Sequence, residues 1–184
     1  MDHDCAIITA FRANPFDRSK CVDQTPLRYS SQDHSASSVN KLNNRDLKAA
    51  LLSSGCGVAA VDGSFIETIR TSMAVEVTED SVFVANLADD PNFFQLINKL
   101  GKRFCQDSVL LISHGGRDVY LYGTNNSEFP GLDQQVKVGE WEGGKEGEVT
   151  ARIGSRPFTL QTYQGMSRLE RMAAQAITNG LKLD

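Results

Sequence analysis

Residues 81–112 constrain the fold of this chain more than any other segment, because they predict a strand, a helix and a second strand in succession. The run SVFVANL is rich in β-branched and aromatic residues, as a well-buried strand requires. Asp90 and Pro91 favour a helix start, since proline is tolerated at the first helical position. DSVLLIS resumes as a second buried strand. A helix between two apolar strands is typical of a crossover unit.

The neighbouring segments extend this unit into a longer series. CAIITAF predicts a first strand, NNRDLKAALLSSG predicts a helix that stops at Gly55, and GVAAVDGSFIE predicts a second strand region. The resulting order is strand, helix, strand, strand, helix, strand, which is the ferredoxin-like β-α-β-β-α-β pattern. We therefore predict an α+β, ferredoxin-like sandwich, followed by a hairpin around Gly154 and a last helix near 166–178.

Length and composition predict one folded domain. The chain has 184 residues, of which 40% are hydrophobic, and no apolar run approaches the roughly 20 residues that span a bilayer. We expect a single domain over 1–184, with an α+β core at 5–124 that includes a long polar loop at 13–40. Residues 125–184 form a C-terminal extension with an acidic loop, a hairpin and a helix. The acidic N-terminus is unlike a signal peptide, so we expect an intracellular protein.

The net charge of −4 is unevenly distributed along the chain. Residues 125–150 contain six acidic side chains against two lysines, and a basic stretch follows directly. Its arginines are either a partner-binding surface or ion-pair partners of the acidic segment 140–148. These arginines are Arg152, Arg156, Arg168 and Arg171. A negative net charge and strand aromatics in buried-looking runs argue against general nucleic-acid binding.

No catalytic, metal or cofactor motif of high specificity occurs in the sequence. Glu67 and Glu76 lie near the connection between the second and third strands, where carboxylates are able to act as acid–base groups or to hold a divalent ion. His114 and Arg117 flank a glycine pair that is able to approach an anion. These four residues form an alternative acid–base or anion site. Solvated turn residues explain the glutamates better than an acid–base site does, and a hairpin turn explains the His114 segment, so we predict no cofactor and no metal.

The cysteines show no pattern of a metal site. Cys5, Cys21, Cys56 and Cys105 have neither a CxxC pair nor zinc-like spacing. This scatter favours reduced structural thiols over a disulfide framework or a nucleophile.

Seven segments give the chain a resemblance to a known family. They are AIITAF, NNRDLKAALLSSG, VDGSFIE, EDSVFV, LGKRFCQDSVLLI, YLYGTN and SRPF. The chain resembles a family of uncharacterised proteins encoded by bacteriophages and bacteria, known as a domain of unknown function. The similarity covers most of residues 5–160, with gaps at 14–38 and 130–145. The resemblance implies a phage origin and supplies no catalytic residues to transfer.

These observations favour a non-enzymatic, phage-encoded accessory protein that acts through protein–protein contacts as a virion structural or assembly component. Two alternatives stay open. One is an inhibitor of a host nuclease or defence system, and the other is a small enzyme acting on nucleotides or phosphate esters. The expected partners are phage particle components or a host protein, with no membrane. The expected location is the host-cell cytoplasm, or the virion for a particle component.

Overall fold

Strands dominate the part of the chain that the structure describes. This computed structural model describes residues 1–26, 28–63, 81–144, 150–153 and 156–161. Its strands are β1 (Cys5–Ile8), β2 (Gly57–Gly63), β3 (Ser81–Ala85), β4 (Ser108–Ile112), β5 (Val119–Gly123), β6 (Gln135–Gly143), β7 (Thr150–Ile153) and β8 (Arg156–Gln161). Its helices are α1 (Ala36–Ser53) and α2 (Phe93–Arg103).

All of the strand pairings are antiparallel, and together they curl the sheet into a barrel. The order around the barrel is β1, β3, β2, β7, β8, β6, β5 and β4, with β4 returning to β1. The ladder between β2 and β7 closes the ring by placing Val61 opposite Ile153. The hairpin predicted around Gly154 is confirmed by the pairing of β7 with β8, in which Ile153 lies opposite Arg156.

The ferredoxin-like sandwich is a wrong prediction. The predicted order of the first six elements is present, but a sandwich needs a short open sheet with helices on one face. Here the sheet continues from β4 through β5, β6, β8 and β7 and curls strongly back to β2. Over the described residues, the structure is therefore α+β with a strongly curled antiparallel sheet and two helices. The last helix, predicted near 166–178, lies outside those residues.

Strand β6 is the element that sequence reasoning missed. It lies within the segment predicted to be an acidic loop, because glycine and charged residues have low strand propensity. Its outer residues are exposed, but Val138 is fully buried and Val136 is half-buried. Pairing of β6 with both β5 and β8 links the first half of the sheet to the last hairpin.

Strand β1 has a hydrophobic core on each of its two faces. Ile7 belongs to a cluster inside the barrel, which we call the interior cluster. Ala6 and Ile8 belong to a second cluster with the helices, which we call the helix-face cluster. Strand β4 divides its side chains in the same way. Burial of both faces explains why these strands are continuous apolar runs rather than alternating patterns.

The two helices pack on the outside of the barrel. Leu47 and Leu51 of α1 join Phe93, Ile97 and Leu100 of α2 in the helix-face cluster. Their spacing of three and four residues places them on one face of each helix.

Both helix starts differ from their predictions. Helix α1 begins at Ala36, seven residues before the segment NNRDLKAALLSSG that predicted it, and Ser35 caps it by accepting a hydrogen bond from the backbone of Ser38. The predicted polar loop at 13–40 is therefore helical in its last part. Helix α2 begins two residues after Pro91, with Asn92 as its N-cap. None of the described helices is both long enough and apolar enough to span a membrane.

Candidate functional site

Several polar segments collect at one end of the barrel. Strands β1 and β2 end there, and β3 and β4 begin there, so Ile8, Gly63, Ser81 and Ser108 mark this end. We call it the upper end. Residues 9–35, which follow β1, depart from it. The C-terminus of α2 returns the chain to it. Because the upper end receives so many loops, it is the part of the barrel at which a ligand site is easiest to build.

Four arginines line one small cavity at the upper end, which we call the arginine pocket. They are Arg12, Arg18, Arg28 and Arg103, and the pocket also contains the carboxylate of Asp46. The cavity has a volume of about 80 Å³. A lining of four guanidinium groups against one carboxylate gives the pocket a surplus of positive charge.

Arg12 forms the buried part of the pocket. Only 8% of its surface is exposed. One terminal nitrogen donates to the backbone carbonyl of Asp17 and lies 3.7 Å from Sγ of Cys21. Its Nε atom is buried and has no hydrogen-bond partner among the described residues. Burial lowers the pKa of the Arg12 guanidinium, while the negative charges of Asp107 and Asp17 oppose that shift.

Two asparagines of α1 fix the backbone that carries Arg12. Asn40 accepts from the Arg12 N–H at 3.0 Å and donates to the Arg12 carbonyl at 2.8 Å. Asn44, one turn later, accepts from the Ala10 N–H at 3.3 Å. Asn40 and Asn44 are both buried, so their amides satisfy the polar backbone where the chain leaves β1.

A disulfide joins the two sides of the arginine pocket. Cys21, in the segment between β1 and α1, is bonded to Cys105 just after α2. The prediction of reduced thiols is therefore wrong for this pair, because two cysteines far apart in sequence meet only after folding. Cys5 and Cys56 are free and buried. Burial raises the pKa of Cys5 to about 11, and it also raises the pKa of Cys56, so neither thiol is poised as a nucleophile.

The other arginines of the pocket are held at its rim. Arg18 donates to the backbone carbonyl of Asp23. Arg28 pairs with Asp46 at 3.0 Å. The guanidinium of Arg103 lies 5.7 Å from the centre of the Phe104 ring. Within the described residues, Arg12, Arg18 and Arg103 form no salt bridge with a carboxylate.

The upper end contains one more unpartnered buried atom. Ser81 begins β3 and is 1% exposed, and its hydroxyl oxygen has no partner among the described residues. Since buried polar groups are normally satisfied, such atoms mark places where a further group belongs.

The structure describes only two of the four predicted acid–base residues. Glu67 and Glu76 lie outside the described residues, but their segment leaves β2 at Gly63 and rejoins the sheet at Ser81, both at the upper end. His114 and Arg117 are exposed in the turn between β4 and β5, at the lower end. The hairpin-turn explanation of that segment is confirmed by the pairing of β4 with β5.

The predicted partner-binding arginines are divided in a similar way. Arg152 and Arg156 are exposed on the two strands of the β7–β8 hairpin. Arg168 and Arg171 lie outside the described residues. Partner binding by this group stays a prediction.

Sequence reasoning missed the arginine pocket. Arg12 directly follows the predicted first strand, and Arg103 lies at the end of the predicted second helix. The available signal was the long polar loop at 13–40, since such loops tend to be functional. It contains Arg18 and Arg28, but nothing in the sequence shows that they meet Arg103.

Comparison with known proteins identifies the family. The model of the S-Adenosylmethionine lyase family matches residues 30–166. No curated protein sequence matches the chain significantly. The family match corrects the resemblance to a domain of unknown function. It also overturns the prediction of a non-enzymatic virion component, because the family is one of enzymes that degrade S-adenosylmethionine. Of the earlier alternatives, the small enzyme acting on nucleotides or phosphate esters is nearer to this finding in being an enzyme, although its substrate class differs. The match spans most of the chain, and the protein belongs to the S-adenosylmethionine lyase family.

Proposed function

We propose that this protein cleaves S-adenosylmethionine at the upper end of the barrel. The observation that carries the proposal is the family match over residues 30–166, which includes the whole segment between β2 and β3. A lyase breaks a bond without water or an external oxidant. Cleavage of a carbon–sulfur bond sends the bonding electron pair to sulfur, so the sulfonium becomes a neutral thioether and needs no proton in order to leave. The carbon left behind either forms a double bond by losing a neighbouring proton to a base or forms a bond to an oxygen of the substrate's own carboxylate.

The substrate has three chemical parts that the protein must recognise. It carries a positive sulfonium, an amino-acid group with its own carboxylate, and an adenosine. The positive charge on sulfur disappears during cleavage, so water stabilises the charged substrate more than the transition state. A site that excludes water therefore lowers the activation barrier relative to the reaction in water. The protein therefore has to orient the substrate, shield the sulfur and handle at most one proton.

We assign the acid–base role to Glu67 and Glu76. Their segment is anchored at Gly63 and Ser81, on the same end of the barrel as the arginine pocket. A carboxylate there is able to accept a proton or to hold the sulfonium before it is cleaved. His114 receives no role in this proposal, because its turn lies at the other end of the barrel.

Incubation of the purified protein with S-adenosylmethionine tests the proposal. Mass spectrometry of the mixture follows the loss of substrate and the appearance of a thioether, and the product mass identifies which carbon–sulfur bond is broken. We expect Glu67→Gln or Glu76→Gln to lower kcat/KM by about 100-fold or more, the usual scale for loss of an acid–base group.

Glu140→Gln is the matched control, because it removes the same charge from an exposed position on β6. His114→Ala is a second control at the lower end. Both are expected to retain the wild-type rate. No loss of substrate with the wild-type protein would overturn the proposed function. A wild-type rate in both glutamate variants would leave the function standing and overturn the assignment of the residues.

A protein with this activity would deplete the methyl donor of the cell in which it is made. Restriction and modification enzymes that need S-adenosylmethionine would lose their cofactor, which agrees with the earlier alternative of an agent against a host defence system.

A further inference from the structure

Among the described residues, only one of the four pocket arginines has a carboxylate within salt-bridge distance, while Asp17, Asp23 and Asp107 act on the other three at longer range. Arg28 has a carboxylate partner in Asp46, whereas Arg12, Arg18 and Arg103 have none within salt-bridge distance among those residues. The nearest anionic groups to Arg12 act on it only through longer-range attraction from Asp107 and Asp17. A buried cation is costly unless it is paired, so the pocket favours an anion.

The pocket also has the shape and the donors for such an anion. Its volume of about 80 Å³ exceeds the space that one or two water molecules take up in the liquid. Guanidinium groups present paired N–H donors that match the oxygens of carboxylates and phosphates. Arg12 supplies a buried cation with an unpartnered Nε, and Arg28 and Arg103 are exposed at the rim, where a ligand enters.

The walls of the pocket are built to keep these groups in place. The Cys21–Cys105 disulfide joins the segment that carries Arg12 and Arg18 to the end of α2 that carries Arg103. Asn40 holds the backbone of Arg12 through two hydrogen bonds. A pocket that is fixed before binding loses little conformational entropy when its ligand arrives.

We infer that the arginine pocket is an oxyanion-binding site for the carboxylate or the phosphate group of a small molecule. Two sources supply this chemistry. One is the amino-acid carboxylate of S-adenosylmethionine, a reading that rests on the proposed function. The other is a phosphate group, which does not depend on it.

Calorimetric titration distinguishes the two sources. In the first arm, inorganic phosphate is titrated into the protein against a sodium chloride control of equal ionic strength. In the second arm, S-adenosylhomocysteine is compared with methylthioadenosine, because both are uncleaved thioethers but only the former has a carboxylate. We expect the wild-type protein to bind phosphate, or to prefer S-adenosylhomocysteine by about tenfold or more, as a charged hydrogen bond predicts.

Arg28→Gln and Arg103→Gln are the variants for both arms, since both side chains are exposed at the rim and their loss should not unfold the protein. Arg45→Gln is the matched control. It removes one arginine that also approaches Asp46, at 3.7 Å, but that does not line the pocket. Arg12→Gln, checked for folding by circular dichroism, tests the buried guanidinium.

Loss of phosphate binding in the rim variants, with binding retained in Arg45→Gln, supports a phosphate source. Loss of the preference for S-adenosylhomocysteine in the same variants supports the substrate carboxylate. The inference is overturned if the wild-type protein shows neither effect, or if the rim variants behave as Arg45→Gln does. These results are separate from the fate of the proposed function, which is decided by whether the wild-type protein consumes S-adenosylmethionine.

Discussion

Asp133 shows how single residues connect the helices to the barrel. Its Oδ1 atom accepts hydrogen bonds from Nζ of Lys102 at 2.6 Å and from the hydroxyl of Tyr122 at 2.8 Å. The hydrogen bond from Lys102, followed by that from Tyr122, lowers the pKa of Asp133. Burial, followed by the contact with Asp133, raises the pKa of Tyr122. One carboxylate thus joins the last turn of α2 to β5.

Asp133→Asn is expected to destabilise the protein modestly at neutral pH. Lys102 and Asp133 are both partly exposed, so the expected loss is about 1 kcal/mol or less. Asparagine tolerates the positive φ of this position, which keeps the backbone unchanged. Because the folded-state pKa of Asp133 is lowered, its contribution is present above the ordinary pKa of 3.8 and disappears as the pH falls through the lowered value.

Urea unfolding of wild type and Asp133→Asn at neutral and acidic pH measures this effect. The difference in the free energy of unfolding should shrink on acidification. A difference that is the same at both pH values would contradict the assignment to the ionised carboxylate.

Gly123 is the residue at which the backbone has least room. A Cβ atom there would lie 1.7 Å from the carbonyl oxygen of Gly131, and backbone cannot move aside as a side chain can. We expect Gly123→Ala to lower the free energy of unfolding by about 3 kcal/mol or more. Gly143→Ala is the control, since its Cβ would meet only the side chain of Trp141 at 3.4 Å. Thermal unfolding compares them, and equal melting temperatures would contradict the prediction.

At the scale of elements, strands with apolar sequences were predicted correctly, whereas the strand with a polar sequence was predicted as a loop. β1, β3 and β4 are buried on both faces, so their sequences are continuous hydrophobic runs. β6 contains Glu140, which is exposed, and its place in the sheet depends on its neighbours β5 and β8 rather than on its own residues. Because β6 was not predicted, the continuation of the sheet that closes it into a barrel was not predicted either. A local pattern therefore predicted the order of the elements but not the architecture.

The arginine pocket was not predicted either, because sequence patterns within one element do not show which elements meet in the folded chain. Arg12 and Arg28 come from the segment between β1 and α1, whereas Arg103 comes from the end of α2, and the two meet only in the folded chain. The sequence marked Glu67 and Glu76 as carboxylates near a connection, and both lie outside the described residues. Spacing in sequence detects sites built within one element, and this site is built between elements.

The disulfide between Cys21 and Cys105 is expected to contribute strongly to stability. The two cysteines are 84 residues apart, and a crosslink over such a loop restricts the unfolded chain by about 4 kcal/mol in the chain-entropy model. We expect Cys21→Ser to lower the melting temperature of the oxidised protein to that of the reduced wild type. Cys21 is the better position for the variant, because Cys105 has a positive φ that serine would adopt less easily.

Thermal melts with and without a thiol reductant measure this contribution. The reductant should lower the melting temperature of the wild type and of the control Cys5→Ser, and it should not affect Cys21→Ser. A wild-type melting temperature that is insensitive to the reductant would show that the crosslink does not stabilise the protein.

At the scale of the whole molecule, the described residues form two hydrophobic cores that share strands. Leu121 lies in the interior cluster, and Leu47 lies in the helix-face cluster, both fully buried. β1 and β4 contribute alternate side chains to the two clusters, so neither core is able to form without the strands of the other. This arrangement predicts one cooperative unit rather than a barrel and a helical layer that unfold separately.

Leu121→Ala and Leu47→Ala test this cooperativity. Each is expected to cost about 2 to 5 kcal/mol, the usual range for a large-to-small change in a core. Trp141, the one tryptophan of the chain, packs against the interior cluster, so its fluorescence reports on the barrel. Far-ultraviolet circular dichroism reports on the helices. Both signals should shift together in each variant, and two separate transitions in either variant would contradict a single unit.

The position of β1 has a consequence for the motions of the protein. This strand is paired on one edge with β3 and on the other with β4, and its faces are covered by the two cores. An amide hydrogen of Ala6 or Ile7 therefore has no local opening through which it can reach solvent. In deuterated buffer, these hydrogens should exchange only when the entire chain unfolds, and their exchange rates would give the global stability of the protein directly.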